Sequence, residues 1–62
     1  MTDMKVIKGL HKTILIPTSS KGEAWIRENI DRPGIELSVT INSEYTDEML
    51  ETLRAANLGV EY

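Results

Sequence analysis

From Ile35 to Asn42 the chain alternates without a break: Ile35, Leu37, Val39 and Ile41 are apolar, and Glu36, Ser38, Thr40 and Asn42 are polar. A strict period of two sends successive side chains to opposite sides of an extended backbone, so the segment predicts a strand with one face on a core and one in water. Such a strand needs neighbours to pair with and a second layer to cover its apolar side. All of that must come from a chain of 62 residues.

Upstream there are two β-branched stretches, Val6-Ile7 and Thr13-Ile14-Leu15-Ile16, separated by Gly9-Leu10-His11-Lys12. They fit either a hairpin turning near Gly9 or one long bent strand. The second stretch is a continuous apolar run and predicts a central strand buried on both faces, whereas the first is interleaved with lysines and suits an edge. Pro17 ends the pairing, because it has no N–H to give to a ladder.

Two helices are predicted to form the covering layer. Ser20 with Glu23 makes a capping-box pattern ahead of Ala24-Trp25-Ile26-Arg27-Glu28-Asn29-Ile30, in which Ile26 and Ile30 share a face. A hairpin turning at Ser20-Lys21-Gly22 competes, but Glu, Ala and Asn are poor strand residues. Asp31-Arg32-Pro33-Gly34 predicts a type II turn with positive φ at Gly34. Thr46 is an expected N-cap with Asp47 and Glu48 behind it, and Met49, Leu50, Leu53 and Ala56 recur at helical spacing up to a left-handed cap at Gly59. Val60-Glu61-Tyr62 is long enough only for a last short strand. The expected fold is α+β, a small two-layer α/β sandwich in the order β-β-α-β-α with an optional short C-terminal β, as one domain over residues 1–62.

A chain this short buries only ~60% of the surface its unfolded form exposes, so composition matters. It contains no Cys, which excludes disulfides, thiolate metal sites and cysteine nucleophiles together. Packing alone must hold it, through seven Ile, six Leu, three Val, three Met and Trp25, with no Phe. The margin is small, and self-association as a homo-oligomer is one expected remedy. The N-terminal Met1-Thr2-Asp3-Met4-Lys5 has neither a basic leader nor an apolar stretch behind it, and no window approaches ~20 apolar residues. With zero cysteine, this predicts a soluble, cytoplasmic protein with no membrane role. Met1 and the finished look of the last helix suggest a whole gene product.

Net charge is −3 and unevenly spread, with five basic and four acidic groups in residues 1–31 but two basic and six acidic in residues 32–62. An acidic chain is a poor general ligand for phosphate backbones. Lys5, Lys8, Lys12 and Lys21 are the only basis for direct nucleic-acid or anion contacts. Pro17-Thr18-Ser19-Ser20-Lys21-Gly22 has the setting of a phosphate loop, after a strand and before a helix, but lacks the upstream Gly and reads Lys-Gly where Gly-Lys is needed. Hydroxyls and amides at the helix start with Lys21 beside them could hold an anion; otherwise they form an ordinary cap.

Catalytic and metal-binding sets are sparse. His11 is the only histidine, so a triad would have to join it to Ser19 or Ser20, which nothing in the spacing selects. Glu44, Asp47, Glu48 and Glu51 fall on the solvent side of the second helix, where exposure denies a general acid its raised pKa. They are either a solvated face or an acidic patch for a basic surface. Trp25 is either part of the core edge or a binding anchor. No cofactor is implied. By subtraction, the expected function is that of a non-enzymatic interaction module that docks a sheet edge or the first helix on a larger protein, which it binds and inhibits or modulates, or on a second copy of itself, with Trp25 and the Glu44, Asp47, Glu48 and Glu51 face as the candidate contacts. The alternative is a nucleic-acid-related role, by weak binding through the lysines or by acidic competition for a partner's nucleic-acid site. A small oligomeric enzyme with His11 and carboxylates meeting between chains is a third.

Overall fold

The computed structural model describes residues 2–62 and contains β1 (Met4–Lys8), β2 (Lys12–Pro17), α1 (Ser20–Asn29), β3 (Val39–Asn42), α2 (Thr46–Ala55) and β4 (Val60–Glu61). The strands form one mixed sheet in the order β3-β2-β1-β4, antiparallel except for β4 beside β1. β1 and β2 are a hairpin, with Gly9 N–H donating to Lys12 O at 2.8 Å. A Cβ on Gly9 would stand 2.6 Å from that oxygen, so glycine is what lets the turn close.

Alternation along the paired strands assigns the two faces. Met4, Val6, Leu15 and Val39 turn inward and share one core with Ile26 of α1, Leu50 and Leu53 of α2, and Leu58. Both helices therefore lie on the same side of the sheet. The other side is open: Ile7 and Ile14, opposite each other in the β1–β2 register, are 45% and 39% exposed. The continuous apolar run of β2 does mark a central strand, but it is covered on one face only. β1 is likewise interior to the sheet, although its flank on the β4 side is only two residues long.

The alternating segment is a strand only over its second half. Extending the β2–β3 register from Lys12↔Asn42 and Leu15↔Val39 would bring Leu37 opposite Pro17. The pair Ser43–His11 is hydrogen-bonded, so every second pair is, and Leu37–Pro17 would be the next after Val39–Leu15. Pro17 has no N–H, and pairing stops there. Ile35–Leu37 instead form a tight turn: Ser38 N–H donates to Ile35 O at 3.0 Å and Gly34 N–H to Ser38 O at 2.7 Å. The positive φ expected at Gly34 falls on Glu36 (56°) and Leu37 (63°), while Gly34 sits at −80°. Ile35 is left 86% exposed.

The caps also differ from expectation by small shifts. Ser19, not Ser20, caps α1, its Oγ accepting from Gly22 N–H at 3.1 Å. Thr46 is the first residue of α2 rather than its cap, because its hydroxyl is engaged in the core. At the far end Asn57, at φ 62°, takes the left-handed position expected of Gly59. Leu58 N–H donates to Leu53 O and Asn57 N–H to Arg54 O, closing the helix with two carbonyls satisfied and Leu58 packed on the same core as Leu53.

Candidate functional site

Two polar clusters fix the ends of the sheet, and what they leave uncovered defines the site. The first centres on Asp3. Its carboxylate accepts from the Ser19 hydroxyl at 2.6 Å and from Gly59 N–H at 2.9 Å, while Gly59 O accepts from Asp3 and Met4 N–H. The Ser19 hydroxyl beside it, then the Gly59 amide and the Lys21 charge, hold this carboxyl below its ordinary value. A carboxylate of the chain itself thus occupies the neighbourhood of the α1 N-terminus where an external anion was considered. Lys21 donates to Asn57 O at 2.6 Å.

The second cluster is a line of hydroxyls between β2 and α2. Ser43 Oγ donates to Gly9 O at 2.7 Å, so it accepts from Thr13 Oγ1 at 3.1 Å, which in turn accepts from Thr46 Oγ1 at 2.7 Å. Thr13 and Thr46 are 0% and 1% exposed, and each buried oxygen has a partner. This chain holds the start of α2 on the hairpin. It also places Tyr45 and Met49 over the edge of the sheet.

That edge is β3, whose far side has no neighbouring strand. Because Val39 and Ile41 bond to β2, Thr40 points its backbone N–H and C=O outward and Asn42 its N–H, while the Asn42 carbonyl caps the 3-10 turn Ser43–Tyr45. Above this edge, Ile41, Tyr45, Glu48, Met49 and Thr52 line an open groove of about 340 Å³. Tyr45 is 51% exposed, and Ile41 and Met49 are half-buried. Glu48 borders the groove; at about 100° per residue Glu51 and Asp47 lie on the side of α2 away from Met49, with Glu44 just before the helix. All four carboxylates are exposed. Among the described residues the ion pairs are Lys5–Glu61 and Arg27–Glu23, so none of these four carboxylates is ion-paired.

The other sequence candidates do not converge. Trp25 is half-buried and packs against the core cluster. Lys5 lies on the open sheet face, 3.9 Å from Glu61; Lys12 donates to Asn42 Oδ1 at 2.6 Å; Lys8 ends β1; Lys21 is on α1. His11 borders a shallow polar depression with Leu10, Lys12, Asn42, Ser43 and Glu44. Ser19 sits beyond the other end of β2, about 17 Å of strand away. Ser19 and His11 are thus not brought together. Among the described residues no cluster of His, Asp and Glu could hold a metal ion, and no helix is long and apolar enough to cross a membrane. The sequence predicts docking through a sheet edge but not that the edge is β3 or that a groove lies beside it; the free Thr40 and Asn42 amides depend on register, which periodicity does not reveal. Compared with protein-family models, curated proteins and solved structures, the chain matches none.

Proposed function

We propose that this protein is a non-enzymatic, cytoplasmic interaction module that docks on a larger protein and modulates or inhibits it. The observation that supports this reading is the unpaired β3 edge beneath an apolar groove walled by Ile41, Tyr45 and Met49. An exposed edge with a groove beside it is a recurring way for one protein to take hold of another. The acidic row Glu44, Glu48 and Glu51 supports a second reading, in which the protein occupies a partner's nucleic-acid site. The dispersal of Lys5, Lys8, Lys12 and Lys21 gives direct nucleic-acid binding less to work with.

Affinity capture from a lysate, with and without nuclease and with Met49→Lys alongside the wild type, tests the reading. The expected outcome is a defined protein retained by the wild type in both conditions and lost with Met49→Lys. Retention that collapses after nuclease, or that Met49→Lys leaves intact, would count against docking through this groove.

A further inference from the structure

Resting on the docking-module reading, we propose that β3 accepts a basic, extended segment of the partner protein as a fifth strand. Thr40 offers such a strand an outward N–H and carbonyl, and Asn42, two residues on, offers a second N–H at the spacing of a sheet ladder. Alternate side chains of the added strand then separate. One set enters the groove between Ile41, Tyr45 and Met49, and the other lies on the open face beside Thr40. Charge selects the partner. Glu48 borders the groove and is in no ion pair, so a lysine or arginine on the incoming strand complements it. The same carboxylate disfavours a second copy of this chain: pairing β3 with β3 across a two-fold axis would bring a second α2, with its own Glu48, against the first.

The test titrates isotope-labelled protein with two short synthetic peptides, one of alternating Lys and Val and one of alternating Glu and Val. The Lys-Val peptide is expected to shift the amide resonances of Thr40, Ile41, Asn42 and Met49. It should also slow exchange of the Thr40 and Asn42 amides, and bind more weakly as salt rises. The Glu-Val peptide is expected to leave the spectrum unchanged. Thr40→Pro deletes an outward N–H without touching the β2 ladder and should lower affinity about tenfold, the scale of a lost hydrogen bond with its geometry. The exposed Glu48→Lys should weaken binding by about the same factor, which keeps the test open if Thr40→Pro does not fold. Ile7→Thr, on the open face, should change nothing.

Equal binding of the Glu-Val peptide, shifts that map elsewhere, or no shift at all would overturn the proposal. So would a dimer in sedimentation whose Thr40 and Asn42 amides are already protected. A partner captured equally by the wild type and Thr40→Pro would remove strand addition yet leave the docking module standing. Peptide binding with no nuclease-resistant partner would do the reverse.

Discussion

The two edges of this sheet are treated in opposite ways. At the β4 edge, a strand of two residues is held by the Asp3 carboxylate, the Ser19 hydroxyl and both backbone groups of Gly59, with Lys21 closing over Asn57. At the β3 edge, four residues of regular strand stop with the Thr40 backbone and the Asn42 N–H unpaired and an apolar groove above them. A small domain without disulfides has few interactions to spare. Side-chain hydrogen bonds hold both ends of the sheet, but at the β3 end they leave an open strand flank beside an apolar groove, which suits that side of the fold to be completed by something else.

The sharpest way to break the tied edge is Gly22→Ala. Its Cβ would stand 2.0 Å from Asp3 O and 3.4 Å from Pro17 Cβ, so α1 would have to lift away from β1. We expect a loss of about 3 kcal/mol or outright unfolding, read by chemical denaturation. A native-like midpoint would mean that the close approach is not required.

The hydroxyl line that sets α2 over the groove comes next. Thr13→Val strands the buried Thr46 hydroxyl and should cost about 1–3 kcal/mol, as should Thr46→Val. The double variant should cost less than the two losses combined, because no polar atom of that pair is left unpartnered. Strict additivity in a denaturation cycle would contradict the coupling.

Acid sharpens the contrast without mutating the scaffold. The folded-state carboxyl of Asp3 titrates below its ordinary value, so the stability it contributes is fully present above the unfolded carboxyl range and is lost as pH falls through the lowered value. Asp3→Asn should be less stable than the wild type at neutral pH and should flatten the acid limb of a stability–pH curve. Parallel acid limbs for the two proteins would show that Asp3 is not linked to folding.

The smallest effect is expected at the turn leading into β3. Glu36 is held at φ 56°, a region that asparagine tolerates better than glutamate. Glu36→Asn should stabilise by about 0.5 kcal/mol, a part of the usual left-handed cost. A destabilised variant would show that the Glu36 side chain contributes something the turn needs.

The element order was legible in the sequence because each element carries a local signal: β-branched runs, helical spacing at Met49, Leu50 and Leu53, and Pro17 as a stop. The consequences of Pro17 were not. That it also cuts short the alternating segment at Val39 depends on which β3 residue stands opposite it, a long-range register that no local pattern encodes. The same gap hid the candidate site. Trp25 and the carboxylates stand out by residue type, whereas Thr40 and Asn42 matter through backbone groups that every residue has. Thr13 read as one more member of an apolar run, and only its position opposite α2 makes its hydroxyl the link to Thr46 and Ser43.

The measurement that bears most directly on this division is residue-by-residue amide exchange on the free protein at neutral pH. Asp3, Met4 and Gly59 should be protected, as should Val39 and Ile41, while Thr40 and Asn42 between them exchange at nearly the rate of an open chain. Protection of Thr40 and Asn42 in the free monomer would contradict the open edge, and with it the surface on which docking is proposed.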